Sequence, residues 1–292
     1  MIPETNITAW SLKAPWAEPR QVEQDLIISR ALVEIFNHDF LRAELRFRGG
    51  TALNKIIFPE PLRYSEDIDL VRTTTGPIGP ILDTLREVLE PWLGQANFVS
   101  SQVAPKLRFR VSAENDPDTQ IRLKVEINIA EIEAFDAPAS IPYSVENPWF
   151  TGSTTIASFS PAELLATKLR ALLQRDKGRD LFDLDHALEV LPELDVERVV
   201  ELFDKYLANQ GQAISRAEAE QRMLAKFARP DMLGDMRALL TPDRADALDS
   251  TAGRASFIRV FTNIVALIPG HPWAKTEELA QAMGLTELTG KN

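Results

Sequence analysis

Asp67 and Asp69 stand two residues apart in the run SEDIDLVR, 65–72. The acids alternate with Ile68 and Leu70, which is the pattern of a strand with one apolar face, so both carboxylates point to the same side. At roughly 6–7 Å, the spacing strand rise gives, two carboxylates can hold a hard divalent cation together with the phosphates of a substrate. Upstream, the apolar-alternating run LRFRGG, 45–50, stops at Gly49-Gly50, where backbone can approach a ligand closely. A helix opening at Thr51 would offer free N–H groups to phosphate. Ser65 sits two residues before Asp67 and shares its face. Its hydroxyl serves a phosphate or a metal-bound water, or else only bonds backbone at the strand end. A phosphate cradle followed by a metal pair is the chemistry of nucleotide transfer. The bland alternative is a helix cap and a surface strand with two acids.

These residues need a sheet to hold them. QVEQDLIISRALVEIFNH, 21–38, has helical apolar spacing and suits packing on that sheet. Residues 1–20, with three Pro and two Trp, read as an irregular arm. PILDTLREVLEPWL, 80–93, is an amphipathic helix. PKLRFRVS, 105–112, and IRLKVEINIA, 121–130, alternate with period two around the polar turn AENDPDTQ, which predicts a hairpin. On it Lys106, Arg108 and Arg110 share a face, and Arg122 and Lys124 fall on the face of Glu126. That face either attracts phosphate or merely keeps a sheet soluble. Residues 131–159 read as Pro-rich and irregular, ending in the strand-like TTIASF. From Ser160 the pattern is helical, with Ser160 as N-cap, Pro161 at the first position and Glu163 completing a capping box. Helices are expected over 161–174, 179–191 and 196–208, and further on to about 285.

Composition narrows the chemistry. The chain has 292 residues, no Cys, and only His38, His186 and His271. Disulfide and thiol chemistry are excluded, and a His-built metal site or hydrolase triad is disfavoured. Carboxylates remain as the chemical resource, which points to Mg²⁺ or Mn²⁺ rather than zinc. A net charge of −11 argues against general coating of nucleic acid and leaves room for a local basic patch. No apolar run is long enough for a membrane span, and the N-terminus lacks the basic start and apolar core of a secretion signal. The expected setting is cytoplasmic.

The order Gly49-Gly50-Thr51, then Ser65-Glu66-Asp67-Ile68-Asp69-Leu70, resembles the AbiEii/AbiGii family of nucleotidyltransferase toxins, within the DNA polymerase-β-like superfamily. Many relatives have Gly-Ser where this chain has Gly49-Gly50. The segment KLRALLQRDKGRDLFDL, 168–184, resembles the later motifs of that family, a helical Lys and then a basic turn into Arg-Asp-x-x-Asp-Leu. The likeness covers 46–184, and 190–292 adds no motif. With the pattern of strands and then helices along the chain, the expected fold is α+β: a mixed β-sheet nucleotidyltransferase domain with flanking helices over 1–155, followed by an α-helical domain over 156–292.

By that resemblance Asp67 and Asp69 hold the metal. Glu126, where relatives often have Asp, supplies a third carboxylate that completes the metal site and can activate the attacking hydroxyl. Otherwise Glu126 is a solvated strand position. Lys168 would bind the incoming triphosphate, with Arg175, seven residues on and so on the same helix face, and Arg179 in the basic turn. Asp180 or Asp183 would orient that Lys or the turn, and the two share a face if helical. A plain solvated helix face is the alternative. The resemblance further implies a toxin of a type IV toxin–antitoxin or phage-defence system, a nucleoside triphosphate substrate, the tRNA 3′ end as acceptor, and a cognate antitoxin encoded nearby. Transfer to protein hydroxyls, or a non-catalytic interaction module on the same fold, are the competing readings.

Overall fold

The computed structural model describes residues 2–114, 118–229 and 236–289. The middle of the turn expected over 113–120 therefore lies outside the described residues. The chain divides into two compact units, Met1–Ser160 and Pro161–Asn292.

The strands of the first unit are β1 (Leu45–Arg48), β2 (Asp67–Arg72), β3 (Asn97–Val99), β4 (Lys106–Ser112), β5 (Gln120–Asn128), β6 (Ala139–Asn147) and β7 (Phe150–Ser158). They form one seven-stranded sheet in the order β3-β4-β5-β2-β1-β7-β6. β1 runs antiparallel to β2, and β2 runs parallel to β5, so the strand that carries Asp67 and Asp69 is central and supported on both sides. The expected β4–β5 hairpin is present. Residues 131–159 depart from the irregular reading, because most of them form the antiparallel β6–β7 hairpin. Pro142 masks it in the sequence, since proline cannot donate into a ladder. Here it sits on the edge strand, where one side of the ladder has no partner to satisfy.

The helices of this unit are α1 (Glu4–Trp10), α2 (Pro19–Asn37), α3 (Asp39–Glu44), α4 (Gly49–Ala52, running on as one wider π turn, Leu53–Ile57) and α5 (Gly79–Leu93). α2 lies against β5, β6 and β7 and buries Leu26, Ile27, Ile28, Leu32, Ile35 and Phe36 almost completely. Each such side chain contributes about 1.5–3 kcal/mol on leaving water, which makes α2 the main support of the sheet. Its start is fixed by Pro19 and by reciprocal capping between Glu18 and Gln21. The arm over 1–20 is not irregular. It contains α1, and the indole N–H groups of Trp10 and Trp16 donate to Asp25 of α2 at 2.8 and 3.1 Å. Those two bonds tie the arm to the body through a partner that local sequence does not reveal.

The second unit contains α6 (Pro161–Gln174), α7 (Gly178–Val190), α8 (Val196–Ala208), α9 (Arg216–Phe227), α10 (Pro242–Ala247), α11 (Ser250–Asn263) and α12 (Thr276–Ala282). The division between units falls after Ser160, and β7 ends at Ser158. Ser160 donates its hydroxyl to Asp136 at 2.6 Å, and Glu163 accepts from the Tyr206 hydroxyl at 2.8 Å. α6 packs on α7 and α8, and α7 on α11. Among the described residues no helix is long and apolar enough to cross a membrane.

Candidate active site

The sheet register sets the acids. Asp69 lies opposite Glu126 and Asp67 opposite Lys124 on the parallel β2–β5 pair, and Lys106 lies opposite Glu126 on the β4–β5 hairpin. Ile68 and Leu70 point to the other face and are buried. Burial, then the neighbouring Asp67 carboxylate, push the Asp69 carboxyl above its ordinary value; Glu126 adds to the push, while Lys124 and Arg48 oppose it. Asp67 and Glu126 thus place negative charge on either side of Asp69.

Lys124 partly answers that charge. Its Nζ lies 2.9 Å from Asp67 Oδ2 and 3.2 Å from Glu126 Oε2. The Nζ of Lys106 lies 3.0 Å from the same Glu126 oxygen. Burial alone would raise the Glu126 carboxyl, but the hydrogen bond from Lys106 and the charge of Lys124 outweigh it and hold Glu126 below the usual value. Lys124 is raised, since its hydrogen bond and charge pairing with Asp67 overcome burial. Lys106 and Lys124 therefore pair with the carboxylates of this face.

Glu126 Oε2 thus meets two ammonium groups, and Asp67 Oδ2 meets one of them, Lys124. Among the described residues no group of three or more His, Cys, Asp or Glu is gathered to hold a metal. Asp67 and Asp69 do fit a hard divalent cation as a two-carboxylate set. Mg²⁺ is commonly bound by one or two carboxylates, with substrate phosphates and water filling the remaining positions.

The glycine turn is seated on the acids. α4 opens at Gly49, two residues earlier than expected, and Gly49 has a positive φ of 84°. A Cβ there would come under 3.0 Å from Asp69 Oδ2. A Cβ on Gly50 would run into the guanidinium of Arg63, which is itself almost fully buried and donates to the Tyr64 carbonyl at 3.1 Å. Thr51 donates to the backbone carbonyl of Asp67, and the hydroxyls of Thr51 and Ser65 lie 2.7 Å apart. Ser65 precedes the strand rather than lying on it, and its hydroxyl turns to Thr51. Asn54 ties the turn to the Leu62–Arg63 backbone, accepting from both amides while donating to the Gly50 carbonyl.

Further along the hairpin, Arg108 faces Lys124 and Arg110 faces Arg122 across the ladder. Like charges directly opposite destabilise a sheet. Arg108, Arg110 and Arg122 are exposed, and among the described residues none of the three enters an ion pair.

The second unit assembles its own charged group. Lys168 is buried, with its Nζ 3.1 Å from Asp180 Oδ1 and 2.8 Å from Asp183 Oδ2, both acids being fully buried. Arg175 clamps Asp180 through Nε at 2.7 Å and Nη2 at 2.8 Å. Burial would raise the Asp180 carboxyl, but the Arg175 hydrogen bonds and the Lys168 charge pull it below its ordinary value. Both Asp180 and Asp183 hold Lys168. Lys168 and Arg175 both meet the Asp180 carboxylate. Arg179 stands beside them in sequence on the first turn of α7.

Arg48, Arg63 and the Asp25–Lys55 pair were not singled out from the sequence. Arg48 bears on Asp69 and lies 3.6 Å from Glu131; its place just before Gly49-Gly50 was the available signal. Arg63, two residues before Ser65, was similarly placed.

The family model for nucleotidyl transferase AbiEii toxins of type IV toxin–antitoxin systems matches residues 30–254, well over half of the chain. No curated protein matches. Among solved structures the chain is similar to MenT4, a nucleotidyltransferase toxin from Mycobacterium tuberculosis H37Rv. The two share 18% identity over 98% of this chain and 99% of that one, with a TM-score of 0.64. It is also similar to JHP933 from Helicobacter pylori, at 13% identity over 92% and 99% of the two chains, with a TM-score of 0.51. At these identities the likenesses speak to the fold.

Proposed function

Because the chain belongs to the AbiEii family of nucleotidyltransferase toxins, we propose that it transfers a nucleotide from a nucleoside triphosphate to a hydroxyl at the tRNA 3′ end, inhibiting translation in the cytoplasm. The observation that carries this reading is the seating of the Gly49 turn directly on Asp69, beside Asp67 on the same sheet face. Phosphate at the turn and cation at the acids are then neighbours.

An Mg²⁺ or Mn²⁺ ion held by Asp67 and Asp69 would supply the positive charge that offsets the phosphates and favours attack at phosphorus. The residues of the chain do the rest. The amides at the start of α4 receive phosphate oxygens. Lys106 and Lys124 fix Glu126 next to Asp69, where it is placed to take the proton of the acceptor hydroxyl. The acceptor oxygen bonds to the α-phosphorus, the bond from that phosphorus to the β-bridging oxygen breaks, and pyrophosphate leaves. Arg108, Arg110 and Arg122 provide unpaired positive charge for the acceptor's backbone. In the helical unit the resemblance ties Lys168 to the triphosphate; Asp180 and Asp183 act as positioning residues that fix its ammonium, with Arg175 and Arg179 adjoining. An antitoxin partner follows from the family, and a role in phage defence is part of the same proposal.

The test is incubation of the protein with each of four α-labelled ribonucleoside triphosphates and Mg²⁺, with total tRNA or with protein extract. Label on tRNA supports the proposal. Label on protein alone moves the acceptor to protein hydroxyls, and label on neither removes the transfer reading.

A further inference from the structure

A cavity of about 170 Å³ lies in the first unit against the arm, α4 and β6. Trp10, Trp16, Phe58 and Pro61 give it apolar walls, and Thr51 and Ser65 form a polar end. The indoles are held in place, since both donate to Asp25, which also accepts from Lys55 Nζ at 2.5 Å. Lys13 and Arg63 also line the cavity. An apolar cavity of about 150 Å³ holds benzene, so this one has room for a single planar ring and not for a whole nucleotide. The polar end adjoins the catalytic turn: Ser65 Oγ is 3.5 Å from where a Cβ on Gly50 would stand, and Thr51 bonds both Ser65 and the Asp67 carbonyl.

We propose that this cavity receives the base of a nucleotide whose phosphates lie at Gly49-Gly50, with the indoles of Trp10 and Trp16 as its walls and the ribose at Thr51 and Ser65. The proposal rests on the nucleotidyl-transfer reading for its context. The chemistry is a planar heterocycle joined to an anionic backbone, and it has two sources: the incoming triphosphate or the terminal nucleotide of the acceptor.

Two measurements separate the outcomes. Tryptophan fluorescence is first titrated with the four uncharged ribonucleosides and with ribose 5-phosphate, which lacks a base. Saturable quenching by a nucleoside, absent with ribose 5-phosphate and lost in Trp16→Phe, is expected. Ser144 is exposed on β6 and lines the cavity, so Ser144→Phe, and Ser144→Leu as a plug of different shape, should fill it while leaving the melting temperature near that of wild type. Both should weaken nucleoside binding at least tenfold. Unchanged affinity in both plugged variants, equal quenching by ribose 5-phosphate, or no quenching in wild type overturns the proposal. This titration needs no catalysis, so it decides the cavity even if wild-type protein transfers nothing, a result that would count against the functional reading alone. In the transfer assay, a tenfold higher KM for triphosphate in Ser144→Phe assigns the cavity to the incoming base, and a higher KM for acceptor assigns it to the acceptor's base. If nucleoside binding is lost while both constants stay at wild-type values, the cavity plays no part in transfer and the proposal fails.

Discussion

The backbone of Gly49 and the carboxylate of Asp69 are fitted to each other: a Cβ on Gly49 would stand under 3.0 Å from Asp69 Oδ2, and Gly49 holds φ at 84°. Steric space and backbone conformation both call for glycine, and they do so at the point where phosphate and cation would meet. Gly49→Ala should therefore lower stability by about 1–3 kcal/mol, the cost of a non-glycine residue in this region. By displacing Asp69 it should cut transfer by about 10²-fold. Gly79→Ala, at a site with open space, is the control for both. Urea midpoints and initial rates of label transfer check the pair; a Gly49→Ala protein with wild-type rate contradicts the fit.

Glu126 separates a metal ligand from a proton acceptor. Its Oε2 is bound by Lys106 and Lys124, so Glu126→Gln should keep Mn²⁺ affinity within about tenfold of wild type, a change no larger than loss of a supporting residue. Transfer should fall by about 10²–10⁴-fold, the worth of a general base. Calorimetric Mn²⁺ titration beside steady-state kinetics tests this. Loss of the metal together with the activity would place Glu126 in the ligand set.

The β2 acids were legible because strand alternation alone puts Asp67 and Asp69 on one face. The β4–β5 hairpin was legible for the same reason. What the sequence concealed was pairing at a distance. The helix in the arm depends on Trp10 and Trp16 reaching Asp25. The β6–β7 hairpin contains Pro142, which reads as a strand breaker until its edge position is known. The lysine clamp on Glu126 joins residues that lie near it in the sheet through register, with Lys106 on another strand. Lys168 looked open on a helix face, and only the packing of α6 on α7 turned Asp180 and Asp183 toward it.

That buried group gives a pH signature. The folded-state pKa of Asp180 is lowered, so its contribution is fully present above the unfolded value of about 3.9 and is lost as pH falls through the folded value. Asp180→Asn should destabilise the protein by about 3 kcal/mol at pH 7, because it leaves Lys168 and Arg175 short of a partner. The gap to wild type should stay flat from pH 7 to 5 and narrow below about pH 4. Denaturant unfolding across that range checks it, and a gap that widens on acidification contradicts the ion-pair account.

The cross-strand repulsion of Arg110 with Arg122 and of Arg108 with Lys124 should be relieved by an anionic acceptor. Arg108→Glu with Arg110→Glu is expected to impair RNA use far more than triphosphate use. It should also flatten the dependence of log K on log salt by about 1.5, the loss of two phosphate contacts. Filter binding at several salt concentrations measures this. A double variant with wild-type affinity and slope would place the acceptor elsewhere.

Asp69 carries the central claim. Burial and the neighbouring Asp67 push its carboxyl up, so the ionised form is held at a cost at pH 7, and Asp69→Asn should fold with stability equal to or above that of wild type when metal is withheld. The decisive measurement is label transfer from α-labelled triphosphate to tRNA by folded Asp69→Asn in saturating Mg²⁺, beside wild type. The account predicts no transfer above background from a protein at least as stable as wild type; wild-type transfer from that same folded variant would contradict it.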